Sequence, residues 1–193
     1  QSALSEAKPA QQIPQGDVSD PTVLETLNSA VTKASSASEP VSCDVALGTE
    51  TLNANASKNK QIARASTKAK TNVAKATKAV NDGKAEKVEF IKHELQTAVT
   101  GAQKIYDDSK GVVLDDSTRT TLQSAIDQAN ALLQQDDADL NEMQQSITDV
   151  KDAGDAVTVS MNEYTAQQKY LEQQRQQEEQ AFAGNPELAA TIR

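Results

Sequence analysis

The sequence predicts an all-α fold: an elongated antiparallel helical bundle or coiled coil with a long C-terminal helix. Three observations carry this. First, Leu140, Met143, Ile147, Val150, Gly154, Val157, Met161, Tyr164, Gln168, Leu171, Arg175, Glu178 and Phe182 recur at alternating spacings of three and four with no proline between Asp137 and Phe182. Such spacing keeps residues on one stripe of a helix packed along its length. Second, aromatic residues are 3%, tryptophan is absent and mean hydropathy is −0.61, so the chain can bury narrow seams but not a wide core. Third, only seven glycines and five prolines occur in 193 residues, which suits long helices.

The first stretch, Gln1 to Asp20, holds Pro9 and Pro14 among Ser, Gln and Ala. It reads as a disordered linker. Asp20-Pro21 is a helix start, an acceptor followed by proline in the first turn. Val23, Leu27, Ala30, Val31 and Ala34 then give a short amphipathic helix that Ser38, Glu39 and Pro40 end. With the loop that follows, this makes a segment at 21–48.

From Thr49 the helical period returns. Leu52, Asn55, Asn59, Ile62, Ser66, Ala69, Val73, Ala76 and Val80 form a small, polar seam that needs a partner. Asn81, Asp82 and Gly83 are expected to end or bend this helix. A third helix is predicted from Lys84 to Ser109 on Val88, Ile91, Leu95, Ala98, Ala102 and Ile105. Gly111 stops it, and Val112-Val113-Leu114 is expected to plug the bundle end. Asp115, Asp116 and Ser117 offer caps for a fourth helix carrying Leu122, Ala125, Ile126, Ala129, Leu132 and Leu133. Asp136, Asp137 and Asp139 suit the positive end of the last helix. Short connections around 111–116 and 136 predict antiparallel neighbours. One elongated bundle is therefore expected over 49–182, with a tail or linker at 183–193.

Charge is segregated within a net of −9. Between Ser57 and Lys92 stand ten bases against three acids; between Asp107 and Gln180, sixteen acids against five bases. A fold-back at Asp82-Gly83 would set the lysine-rich helix beside the acidic one. The other reading of Lys58, Lys60, Arg64, Lys68, Lys70, Lys75 and Lys78 is contact with polyanions such as cell-wall polymers. The absence of interleaved aromatics argues against nucleic acid.

The sequence holds no complete motif that carries chemistry. His93 stands outside the seam with no second histidine, far short of a zinc set. Asp137, Asp139 and Asn141 open like a calcium loop, but Glu142 and Thr148 fall where glycine and glutamate are required. Helix capping explains them better. Cys43 is the single cysteine, so no internal disulfide is available; a free thiol or an intermolecular bond remains. Gly154 on the seam permits close packing, and Gly101 lies inside a helical pattern. No catalytic, cofactor or metal residues are assigned, and the chain reads as a non-enzyme. No apolar run reaches membrane-spanning length and no signal peptide is read. Gln1 in place of methionine leads us to expect a piece of a longer protein.

Three phrases carry a family likeness. They are Leu95-Gln-Thr-Ala-Val-Thr-Gly-Ala-Gln-Lys-Ile, the run from Leu114-Asp-Asp-Ser to Asn130-Ala-Leu-Leu, and Asp139-Leu-Asn-Glu-Met-Gln-Gln-Ser-Ile-Thr-Asp-Val-Lys-Asp-Ala. Over 88–157 they resemble FIVAR modules, three-helix repeats of Gram-positive surface proteins. Val23-Leu-Glu-Thr-Leu-Asn-Ser-Ala-Val-Thr-Lys-Ala hints at an earlier unit of the same kind. The resemblance implies an extracellular or cell-surface spacer, scaffold or stalk without catalysis. Two other readings stand beside it. One is an adhesin-type module that takes a protein ligand through Phe90, Val112, Val113 or Tyr170. The other is a helical accessory region of a cell-wall enzyme.

Overall fold

The computed structural model describes residues 2–135 and 138–183. The described residues are helices and their connections, with no strand among them. In order these are α1 (Ser2–Gln11), a 3-10 turn (Gln15–Asp17), α2 (Thr22–Ser35), α3 (Thr49–Asp108), α4 (Asp116–Leu133) and α5 (Leu140–Ala183). This is an all-α helical bundle architecture with a long last helix, as the seams predict. Two compact units divide it, the first ending at Phe90 and the second beginning at Ile91. The boundary falls inside α3, so both units share that helix.

In the first unit α1 and α2 pack together and cover the apolar stripe of α3. Ala7, Ala10, Val18, Leu24, Leu27, Val73, Ala76 and Val80 form its buried cluster. The expected linker over 1–20 is therefore corrected. Ala3, Leu4, Ala7 and Ala10 recur at helical spacing, and the exposed Pro9 is accommodated within α1. An alanine seam is easily overlooked because each residue buries little area, yet alanine is also the strongest helix former. Gln11 Nε2 donates to Asn28 Oδ1 at 2.9 Å, tying α1 to α2. At the start of α2, Asp20 accepts from the Thr22 N–H at 2.9 Å and from the Thr22 hydroxyl at 2.9 Å, as the Asp-Pro pair predicts. These bonds hold the Asp20 carboxyl below its ordinary range, the backbone bond contributing more than the hydroxyl.

The break expected at Asn81-Asp82-Gly83 is absent. Helix α3 runs through it, so 49–80 and 84–108 are one helix and no fold-back occurs there. Gly83 serves a different purpose. A Cβ there would lie 3.4 Å from Ser19 Oγ and 3.8 Å from Val18 Cβ. These are ordinary contact distances, and the Val18-Ser19 segment lies on the helix here: the Ser19 N–H donates to the Gly83 carbonyl at 3.0 Å and Ser19 Oγ donates to Glu86 at 2.8 Å. Asp82 does not cap an end; it pairs with Lys78 one turn earlier. The partner of the lysine-rich stretch within its unit is thus the α1–α2 pair.

The segment between α2 and α3 is strapped to α3 by side-chain amides. Asn59 accepts from the Val41 N–H at 2.8 Å and donates to the Val41 carbonyl at 2.9 Å, while Asn55 donates to the Ser42 carbonyl at 2.7 Å. The polar residues in this seam therefore answer backbone groups that a greasy seam would leave unpaired.

In the second unit α4 packs on α5. The core gathers Ile91, Leu95, Val99 and Ala102 from α3, Leu122, Ile126 and Ala129 from α4, and Leu140, Met143, Ile147, Val150, Ala153 and Val157 from α5. Apart from Val99 and Ala153, which lie beside the expected seams, these are positions read from the sequence for three consecutive helices. The bundle placed over 49–182 is accordingly redistributed: its first part belongs with α1 and α2, its second with α4 and α5. Asp136, Asp137 and the tail beyond Ala183 lie outside the described residues; Ala183 itself is still helical.

Candidate interaction surface

The second unit has one worked end, where α3 gives way to α4. Gly111 takes a left-handed backbone, φ 72°, the conformation that turns a chain off the end of a helix with least strain in glycine. Arg119 then reaches back from α4. Its Nε donates to Ser109 Oγ at 2.9 Å, its Nη2 donates to the Tyr106 carbonyl at 3.2 Å, and its guanidinium lies 4.4 Å from the Tyr106 ring centre. A cation thus sits on the carbonyl end of α3, where the helix dipole favours it. Asp116 lies 3.5 Å from Nη1 on the outer side.

The loop is fastened to α5 as well. Ser160, buried on α5, accepts at Oγ from the Leu114 N–H at 3.0 Å and the Asp115 N–H at 2.9 Å. Its carbonyl also accepts from the Leu114 N–H at 3.2 Å. Asp115 in turn caps α4 by accepting from the Ser117 N–H at 2.9 Å. Hydrogen bonding to Ser117, through side chain first and backbone second, holds the Asp115 carboxyl below its ordinary range. Val112 and Val113 are half-buried and Leu114 is exposed. The expected plug is therefore a loop held mainly by backbone bonds.

Beyond Ser160, helix α5 continues past its partners. Met161 and Tyr164 are half-buried; every residue from Thr165 to Ala183 is exposed while remaining helical. Tyr170 at 59%, Leu171 at 44% and Phe182 at 47% stand on this free length. Leu171 and Phe182 belong to the same three-four seam that Val150 and Val157 bury below. The free stretch is polar otherwise, and the Tyr170 hydroxyl accepts from Gln174 at 2.8 Å. It is an unpartnered helix side with an apolar thread, which can receive another helix.

The other sequence-marked residues fall apart from this surface or serve structure. Phe90 is exposed, with Lys87 Nζ 5.9 Å from its ring centre. His93 is exposed on α3. Asp139 Oδ1 accepts from the Asn141 and Glu142 N–H groups at 2.8 and 3.2 Å, which is a cap. Among the described residues no three His, Cys, Asp or Glu side chains are grouped to hold a metal ion. Cys43 is exposed and free, its Sγ 3.4 Å from Asn59 Nδ2. Gly154 packs on α3, an added Cβ falling 3.3 Å from Ile105 Cδ1, whereas Gly101 faces open space. No described helix is long and apolar enough to cross a membrane. Ser160 and Arg119 escaped the sequence reading: a serine in a helix and an arginine near a cap carry no signal of partners 46 and 10 residues away. No family model, curated protein or solved structure matches this chain.

Proposed function

We propose that the chain is a non-catalytic helical spacer or scaffold segment of a bacterial surface or secreted protein, with the free length of α5 as the place where the next helix attaches. One observation supports this most: α5 stays helical from Thr165 to Ala183 with no covering partner among the described residues, and its seam carries on through Leu171 and Phe182. A helix seam extended beyond its own bundle is suited to splicing one bundle to another. The likeness of 88–157 to FIVAR modules supports the surface assignment.

The test is protease shaving of intact source cells. Trypsin cutting after Lys151 and Lys169 should release the peptide 152–169 without lysis. Release only after lysis refutes surface display.

The exposure of Tyr170, Leu171 and Phe182 favours a second reading, recognition of a protein ligand by the same helix side. Substituting all three by serine separates the two. A spacer still displays a fused reporter at its native level, whereas a recognition module loses attachment to its target.

A further inference from the structure

We infer that the outward side of α3 from Lys60 to Lys78 is a docking strip for a linear, flexible polyanion bearing phosphate-type charges. The stretch 51–81 contains seven bases and no aspartate or glutamate, in a chain of net charge −9. Lys60, Arg64, Lys68, Lys75 and Lys78 follow at steps of four, four, seven and three. On a helix these steps confine them to about 80° of arc over about 27 Å. The apolar seam of the same stretch, through Ile62, Ala69, Val73 and Val80, points the other way, and from Ala69 to Val80 it is covered by α1 and α2. The five cations are exposed. Only Lys78 has an ion-pair partner among the described residues, Asp82.

Lys78 is paired with Asp82 and Lys75 lines the same recess as Glu25 of α2, so Lys60, Arg64 and Lys68 are the cations without a carboxylate set beside them among the described residues, and like charges at such spacing repel and lower helix stability. Residues 1–90 hold eleven bases against ten acids, while 91–193 hold eight against eighteen. The acids of the first unit stand outside 51–81 in the chain, and of these Glu25 lines a recess with Lys75. At ordinary ionic strength a charge is screened over about 8–10 Å, so a ligand lying along the strip meets mainly cations. No aromatic residue lies between 51 and 81, and stacking platforms are what nucleic-acid channels add to charge. The strip therefore selects for backbone charge and is indifferent to bases. The threonines on this side, Thr67 and Thr71, return their hydroxyls to the Ala63 and Thr67 carbonyls at 2.9 and 3.1 Å, leaving the surface low and even.

The experiment measures binding of the full chain to labelled inorganic polyphosphate and to an oligothymidylate by fluorescence anisotropy, across 50–200 mM salt. Neutralising about five phosphates gives a slope of about −3.5 in log K against log salt, about a 100-fold loss over that range. Equal slopes for the two probes support backbone recognition; binding of the oligothymidylate alone would overturn it. The K60Q/R64Q/K68Q variant should bind at least about tenfold more weakly at 50 mM salt with a slope near −1.4. K60R/K68R should bind as the native chain does, which separates charge from packing. K104Q/K110Q/K151Q removes the same charge from the second unit and should leave affinity unchanged. No binding at 50 mM salt, or equal loss in the two neutralised triples, overturns the proposal. So does salt-sensitive association of the chain with itself that excludes both probes.

Discussion

Ser160→Ala tests the fastening of the α3–α4 loop most directly. The hydroxyl accepts from two backbone N–H groups, those of Leu114 and Asp115. After its removal the Leu114 N–H keeps the Ser160 carbonyl at 3.2 Å, but the Asp115 N–H loses the acceptor that held it at 2.9 Å. A buried donor left without a partner costs about 1–3 kcal/mol. The site is only part-buried, so water offsets some of this and the lower half applies, about 1–2 kcal/mol. Spread over a unit of about 100 residues, that lowers the melting temperature by roughly 5–10 °C. Thermal unfolding followed by circular dichroism reads the shift, and hydrogen exchange at the Asp115 amide locates it. Ser146→Ala is the control: Ser146 is buried on the same helix with no side-chain hydrogen bond to another element among the described residues, and its loss should move melting by less than about 2 °C, within the usual range for a substitution that breaks nothing. A Ser160→Ala melt indistinguishable from the native one, with the Asp115 amide still protected, would refute the assignment.

Gly101→Ala should stabilise by about 0.5–1 kcal/mol, since the site is open and helical. Gly154→Val should instead cost about 1–3 kcal/mol, because its side is already in contact with Ile105; urea midpoints compare the two. Leu27→Ala, fully buried between α2 and its neighbours, should cost about 2–5 kcal/mol, seen as earlier loss of helix signal on heating. The carboxyls of Asp20 and Asp115 are depressed in the fold. Their stabilisation is present above the unfolded value near 3.8 and lost as pH falls through the lower folded values. Asp20→Asn with Asp115→Asn removes this contribution, so the variant should lie below the native chain at neutral pH, converge on it as pH falls, and show a flatter acid limb below about pH 4.

The parts of the fold legible in the sequence are those where one helix face announces itself. Met143, Ile147, Val150 and Val157 are large and regularly spaced, and α5 buries them; Asp115 and Asp139 precede their helices and cap them. What stayed hidden depends on a second segment. Gly83 in isolation is a helix breaker by propensity, and only the arrival of Val18 and Ser19, whose N–H donates to the Gly83 carbonyl, gives that stretch of α3 a packing partner. Pro9 beside Ala7 and Ala10 reads as a linker until Leu24 and Leu27 cover those alanines. The candidate surface divides the same way. Its polar seam from Gln168 is plain in the residues, and the exposure of Tyr170 and Leu171 follows from the fact that α4 has already run its eighteen residues beside the earlier part of α5. Helix length mismatch, more than any motif, is therefore what leaves this side free. Lengthening the end of α3 and the start of α4 together by two heptads of matching seam should bury Leu171 and withdraw the surface from any partner, whereas the basic strip on the first unit would be untouched.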